Sequence, residues 1–186
     1  MFKLLRSFRR DRRGLAAVEF ALILSILTTL VVGVLEVGMK ILAAQKAENL
    51  ASTTADVVAQ SETATLAGLD QILDATDDVM APFDFGADGR VIITSIYRAP
   101  DTLNATINWQ HTGGGSLVAT SRIGSTGQTP TNLPEGFVLN ERENVIVAEV
   151  YYRYQPLLPG LMFEEATLYR RALFKPRLGT LTTPPT

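Results

Sequence analysis

The chain contains no cysteine and a single histidine, His111, in 186 residues. Disulfide bonds, thiolate metal sites and cysteine nucleophiles are therefore excluded. His111 has no cysteine or second histidine with which to share a metal ion, and it lies beside a glycine-rich stretch, which is typical of a surface residue. We therefore expect no catalytic residue, no metal site and no cofactor, and the sequence does not predict an enzyme.

One group of acidic residues resembles a set of metal ligands. It consists of Asp70, Asp74, Asp77 and Asp78. Their helical spacing brings carboxylates together, so binding of a divalent cation is conceivable. A solvated acidic face is the simpler interpretation, because oxygen-ligand loops normally place their acids on a turn.

Positive charge is concentrated at the N-terminus. Residues 1–14 hold six basic residues and one acid, a net charge of +5, and the other eleven basic and eighteen acidic residues give −7. An acidic body has the wrong sign for phosphate, so we do not expect nucleic acid as a partner. A basic end beside an apolar segment stays in the cytoplasm, so the chain beyond Leu35 is expected across the membrane.

A membrane-length apolar segment follows these basic residues. From Leu15 to Gly38 the only ionisable residues are Glu19 and Glu36, and about 20 apolar residues suffice to cross a bilayer. Glu36 lies at the far end, where water is near. Glu19 lies inside the apolar run, where a charge costs about 2.5–3.5 kcal/mol on insertion scales, and a charge retained at that cost is a candidate functional group.

Three kinds of segment share these features. They are a prepilin N-terminus, a plain signal anchor or cleaved Sec signal with small residues at Ala43 and Ala44, and a twin-arginine signal at the pairs 9–10 and 12–13. A Sec apolar region is normally about 7–15 residues long, which is shorter than this one. Twin-arginine signals serve folded, often cofactor-bearing proteins, and nothing downstream looks like a cofactor site.

The stretch from Arg9 to Phe20, RRDRRGLAAVEF, resembles the processing signature of a bacterial prepilin. Gly14, four apolar residues and then Glu19-Phe20 are similar in particular to the TadE-like (TadE/TadF) minor pilins of the tight-adherence, or Tad/Flp, pilus. The resemblance implies that a prepilin peptidase cuts between Gly14 and Leu15. It also implies that Glu19 pairs with the N-terminal amine of a neighbouring subunit, which offsets its desolvation. Phe20 matches the Glu-Phe ending typical of TadE-like proteins.

What the resemblance implies for function is a minor pilin-like structural subunit, or pseudopilin, that takes part in assembling a Tad/Flp type IV pilus. The implied partners are the prepilin peptidase, other pilin and minor pilin subunits, the Tad assembly platform and the membrane. The chain would cross the inner membrane once, with a cytoplasmic N-terminus and a periplasmic head, and could enter an extracellular pilus. The alternative is a signal-anchored periplasmic binding module, which gives Gly14 and Glu19 no role.

The periodicity predicts an α+β fold in which a long N-terminal membrane-spanning helix packs on an antiparallel sheet, as in pilins. The long helix runs from about Leu15 to Gln60, with an alanine-rich amphipathic second half. A second helix is predicted at Leu66–Met80, before turns at Ala81-Pro82 and Gly86–Gly89. Strands are predicted at 91–98, 103–110, near 117–122, at 145–155 and at 167–175, with a glycine loop at 111–115 and a long loop at 124–136.

We therefore divide the chain into five segments. These are a basic prepilin leader (1–14), the transmembrane half of the long helix (15–38), its amphipathic half (39–60), a periplasmic α+β head (61–178) and a disordered tail (179–186). The head carries weaker motifs of the same resemblance: Trp109-Gln110, Gly113–Gly115 and the run from Glu149 to Leu157. Tyr151, Tyr152 and Tyr154 within that run are distributed over both faces of a strand. The sequence therefore allows two interpretations, in which these side chains belong to the core or to a contact surface.

Overall fold

The computed structural model describes residues 13–160 and 163–186. The predictions for residues 1–12 of the leader lie outside this described part. The chain divides into two compact units, with the boundary between Met39 and Lys40. One helix, α1 (Arg13–Ala59), contributes to both units, and it agrees closely with the predicted helix over 15–60.

The second unit, residues 40–186, is called the head below, and it begins with the second half of α1. Ala43, Ala47, Ala51 and Ala55 recur there at every fourth position, and each is 0% exposed. Residues at this spacing lie on one face of a helix, and short side chains let that face approach its neighbours closely. The predicted packing of the long helix on the sheet is confirmed.

Three short helices follow, α2 (Leu66–Asp74), α3 (Thr76–Met80) and α4 (Phe85–Asp88). The single helix predicted over 66–80 is therefore interrupted, because Thr76 Oγ1 donates to the carbonyl oxygens of Leu73 at 2.7 Å and Gly114 at 3.1 Å. The turn predicted at 86–89 is largely taken up by α4. Asp84 caps this helix, since its Oδ1 accepts from Ala87 N at 2.9 Å.

The sheet has four antiparallel strands, β1 (Gly89–Tyr97), β2 (Thr106–Gly113), β3 (Asn144–Tyr154) and β4 (Ala166–Phe174), in the order β2-β1-β3-β4. The strand predicted near 117–122 is absent, because residues 114–143 form no strand. The glycine loop also begins later than predicted. His111 lies inside β2 opposite Ile93, since the β1–β2 pairing continues as far as Val91 and Gly113.

One face of the sheet is covered by the long segment 114–143. Ile96, Ile107 and Val147 of the sheet form a hydrophobic core with Ile123 and Leu139 of this segment. Because paired residues on neighbouring strands point to the same face, this core occupies the side of β3 that carries Val145, Val147 and Glu149. The segment therefore acts as a layer of the head although it has no regular structure.

The opposite face of the sheet meets the helices. Arg170 of β4 lies 3.4 Å from Glu48 of α1, measured between Nε and a carboxylate oxygen. His111 Nε2 of β2 lies 2.7 Å from Asp70 Oδ1 of α2. The head is thus built of helices on one side of the sheet and an irregular segment on the other.

The C-terminal tail also lies against the helix-covered face. Leu181 is 2% exposed, and its carbonyl oxygen accepts from Ser95 Oγ at 2.6 Å and Trp109 Nε1 at 2.8 Å. Its amide donates to Asn144 Oδ1 at 3.0 Å. This placement differs from the disorder predicted for residues 179–186, because buried polar side chains on the sheet need partners and the tail supplies them.

Candidate processing and docking site

The residues singled out for cleavage and docking lie in the first described turns of α1. Leu15 is 59% and Phe20 65% exposed, and Gly14 and Glu19 are exposed as well. A Cβ added to Gly14 would meet nothing within 4 Å. Glu19 follows Leu15 by four positions, so the two side chains share one face of the helix and lie about 6 Å apart along its axis.

The helix that carries this site presents an apolar surface to its surroundings. Among the described residues one helix is long and apolar enough to cross a membrane, and its most apolar window has a mean hydropathy of 2.4. Two of its hydroxyls bond within the helix: Ser25 Oγ donates to Ala21 O at 2.8 Å, and Thr29 Oγ1 donates to Ser25 O at 2.9 Å. Internal satisfaction of this kind suits a lipid environment. The segment therefore has the features of a single membrane span.

The two acids of the span differ in exposure. Glu36 is 3% exposed, although its sequence position suggested a place near water. Glu19 is exposed on the surface of the helix. Glu19 is therefore the acid of this segment that another molecule can reach.

Ala43 and Ala44, the small residues that suit a Sec signal peptidase, lie within α1. Ala43 is 0% exposed and belongs to the row of buried alanines in the head. A cut here would remove the first alanine of that row from the head.

Comparison with known families identifies the part of the chain that contains the candidate site. Residues 14–56 match the TadE-like family. The matched segment begins at Gly14, includes Glu19 and Phe20, and ends at Asp56 within α1. The resemblance to TadE-like proteins is confirmed over this segment. The TadE-like family consists of structural components of the pilus, so the match indicates a pilus-related membrane protein.

The TadE-like segment stops before the sheet, so the weaker motifs noted at 109–115 and 149–157 lie outside it and stay predictions. Neither the curated proteins nor the solved structures gave a significant match.

The aspartates of the predicted acidic face serve different neighbours. Asp70 contacts His111, whereas Asp77 Oδ1 accepts from the backbone amides of Phe85 at 2.9 Å and Gly86 at 3.0 Å. Asp77 thus fixes the backbone where α4 begins. No three His, Asp or Glu side chains are grouped as metal ligands in the described part of the chain.

A buried carboxylate that the sequence analysis missed lies in β3. Glu149 is 0% exposed and accepts from Tyr169 OH at 2.9 Å, Tyr151 OH at 3.2 Å and Arg122 N at 2.9 Å. Ser121 Oγ donates to it as well. Two of these four donors belong to the segment 114–143, so Glu149 ties that segment to the sheet. The sequence feature that could have revealed Glu149 is that it is the single charged residue in the apolar strand sequence VIVAEVYY.

The tyrosines around Glu149 are held in their protonated form. Burial raises the pKa of Tyr169 to about 12, and the nearby Glu149 carboxylate adds to this shift. Burial and then the Glu149 carboxylate also raise the pKa of Tyr151, and the neighbouring Tyr169 adds to that shift. Both phenols therefore remain donors at neutral pH.

The three tyrosines of β3 belong to the core of the head. Tyr151, Tyr152 and Tyr154 are each at most 5% exposed. Tyr152 stacks on Phe85, with the ring centroids 6.1 Å apart. Of the two interpretations left open by the sequence, the structure favours core over contact surface.

Proposed function

We propose that this chain is a minor pilin-like structural subunit, which takes part in assembling a Tad/Flp type IV pilus after cleavage by a prepilin peptidase. The observation that carries the proposal is the coincidence of two features at Gly14. The TadE-like match begins at this residue, and the exposed apolar length of α1 begins directly after it. A plain anchor requires the apolar length but gives the glycine no task.

Gly14 is suited to cleavage by its chemistry. Glycine is less favourable than alanine in a helix by about 1 kcal/mol, so the first described turn of α1 unwinds at low cost. It also lacks a Cβ that would hinder an extended backbone in the peptidase. The cut creates a new amine at Leu15 and removes the +5 charge that holds this end at the cytoplasmic face.

Glu19 is the residue we assign to docking. In lipid its carboxylate is costly, and the amine of Leu15 on a neighbouring subunit would offset that cost through an ion pair. The support for this role is the exposure of Glu19 on the face it shares with Leu15. A pair between one amine and one carboxylate would also fix the axial position of each subunit relative to the next.

Processing is tested by co-expression with the cognate prepilin peptidase. The chain should lose the 14 residues of Met1–Gly14, so N-terminal mass spectrometry should find Leu15 first. The Gly14→Val variant should stay uncut. The matched control is Gly38→Val in the same helix, where an added Cβ also meets nothing within 4 Å, and this variant should be cut as the wild type is.

Two results would contradict the proposal. An intact Met1 after co-expression would indicate a plain anchor. A new N-terminus near Ala44 would indicate a Sec signal.

A further inference from the structure

The C-terminal tail is attached to the head through one buried residue. Leu181 is 2% exposed, whereas the other residues of 178–186 are exposed or half-buried. Four side chains of the sheet bond to the tail at this point, and they are Ser95, Asn108, Trp109 and Asn144. The site that they form around the buried leucine is called the tail cleft below.

The tail cleft has the chemistry of a site for an extended peptide. Its four side chains bond to main-chain atoms, namely the carbonyl oxygens of Leu181 and Thr182 and the amide of Leu181. Any peptide offers such groups, so the buried leucine side chain provides the selectivity. Main-chain bonds combined with a buried side chain are typical of the recognition of extended segments.

Residues 183–186 of the tail are held loosely. Leu66 N donates to Thr186 O at 3.3 Å, which is longer than the usual distance of about 2.9–3.0 Å. A cavity of about 320 Å³ lies beside them, lined by residues 62–65 and by the tail. If the tail left, water would bond to the polar side chains of the cleft, so the bonds there add little net stability. The tail is therefore held mainly by the burial of one leucine, and it can be exchanged.

The chain before the cleft limits how far a tail can reach. Arg177 is held to α1, since its amide donates to Ala59 O at 3.0 Å and its guanidinium donates to Asp56 Oδ1 at 2.7 Å. Residues 178–180 are exposed and form the hinge. From Arg177 to Leu181 an extended chain spans at most about 14 Å. A tail therefore reaches the cleft of another head only when the two heads touch.

We propose that the tail cleft also accepts the tail of a second copy of this chain, so that neighbouring heads exchange their tails. A second copy is the occupant because its tail has the same leucine and the same main-chain groups that fill the cleft within one chain. Exchange of an identical element between copies is a low-cost route to association. When each head gives its tail to the next, the contact continues along a row of subunits. The inference concerns the heads alone and does not depend on cleavage at Gly14.

The test uses two full-length variants with one cysteine each and with different affinity tags, because the natural chain has no cysteine. Asn108→Cys marks the cleft of the acceptor chain, and Thr182→Cys marks the tail of the donor chain, since Asn108 Nδ2 donates to Thr182 O at 3.2 Å. Both chains are co-expressed in cells without the prepilin peptidase, and their membranes are treated with a short bismaleimide. A covalent heterodimer that carries both tags is expected.

Folding is checked with one chain that carries both cysteines, which should cross-link internally. If Asn108→Cys misfolds, Glu62→Cys in the acceptor and Thr183→Cys in the donor form the second pair, because these two residues line the same cavity.

The buried leucine provides the decisive comparison, because a chain's own tail and a neighbour's tail compete for one cleft. Leu181→Ala in the donor chain should lower the yield of heterodimer about tenfold or more, since its tail loses most of its buried apolar surface. The same change in the acceptor chain weakens that chain's own tail and should raise the yield. Leu178→Ala is the matched control, because Leu178 belongs to the same tail but is 63% exposed. It should change the yield in neither chain.

Three outcomes would overturn the proposal. The first is internal cross-linking in the chain with both cysteines but no heterodimer, because each tail would then stay on its own head. The second is a heterodimer whose yield does not fall with Leu181→Ala in the donor. The third is an equal yield when Val118→Cys replaces Asn108→Cys, because Val118 is 91% exposed in the segment 114–143, and cross-linking there would indicate random collision.

Discussion

Glu19 is an exposed carboxylate in the apolar first half of α1, where the neighbouring side chains suit lipid. An unpaired charge at such a position costs about 2.5–3.5 kcal/mol on insertion scales. Removal of the charge should therefore help membrane insertion. If pilus assembly is lost when the charge is removed, the cause must be a partner that the charge attracts. Because the same substitution should improve insertion and prevent assembly, it tests whether Glu19 is a docking residue.

The Glu19→Leu change separates the two effects. We expect insertion to become easier by about 2–3 kcal/mol and cleavage at Gly14 to continue, because neither step uses the charge. Pilus assembly should fail, because the attraction to a neighbour's amine is lost. Glu19→Asp keeps the charge on a shorter stem and should give partial assembly. The measurements are membrane fractionation, N-terminal mass spectrometry and the amount of pilus sheared from cells.

The control for this experiment is Glu62→Leu, which removes an exposed acid of the head. It should leave insertion, cleavage and piliation unchanged. Glu36 is not a suitable control, because it is buried. Normal piliation in the Glu19→Leu variant would show that Glu19 is not the docking group.

At the scale of secondary-structure elements, local periodicity is sufficient to predict those helices and strands in which apolar residues form a strong pattern. The long helix was predicted because no proline or glycine interrupts its alanine-rich second half. The strands containing Val91, Val147 and Leu173 were predicted within a few residues because β-branched and aromatic side chains cluster there. The cleavage and docking residues are predicted from a motif, and the structure adds their exposure and the face that Leu15 and Glu19 share.

Features that depend on distant contacts could not be predicted in this way. His111 was assigned to a loop because glycines follow it, but pairing with Ile93 keeps it in β2. The tail is predicted to be disordered because it is a chain terminus, but Leu181 meets polar groups on three strands. Residues 114–143 pack through scattered contacts and have no repeating pattern.

Glu149 should control whether the segment 114–143 stays on the sheet. Glu149→Gln keeps the size of the side chain but places an amide N–H₂ among four donors, so at least one of them loses its acceptor. We expect a loss of about 2–3 kcal/mol in the free energy of unfolding. Urea unfolding of the full protein in detergent, followed by Trp109 fluorescence, measures this loss. Limited proteolysis should show faster cleavage between residues 114 and 143.

Glu135→Gln is the matched control, since Glu135 belongs to the same segment but is exposed. It should change the free energy of unfolding by less than about 0.5 kcal/mol. If both variants unfold at the wild-type urea concentration, the segment is held by its hydrophobic contacts alone.

At the scale of the whole molecule, charge and apolar length together define an orientation. The N-terminal 14 residues carry +5 and the remainder carries −7. Basic residues beside a span are retained in the cytoplasm, whereas acidic residues contribute little to orientation. The head is therefore expected outside the cytoplasm, where pilus subunits assemble.

This orientation can be tested with single cysteines, because the natural chain has none. A membrane-impermeant maleimide added to spheroplasts should label Leu103→Cys, since Leu103 is 91% exposed in the head. It should label Ser7→Cys, in the basic leader, only after lysis and only in cells without the prepilin peptidase, because cleavage removes that residue. Both positions should react in lysed cells that lack the peptidase, which confirms that each thiol is accessible. Labelling of Ser7→Cys in intact spheroplasts, together with protection of Leu103→Cys, would place the head in the cytoplasm. A head on that side could not join an extracellular fibre, and the pilus proposal would have to be abandoned.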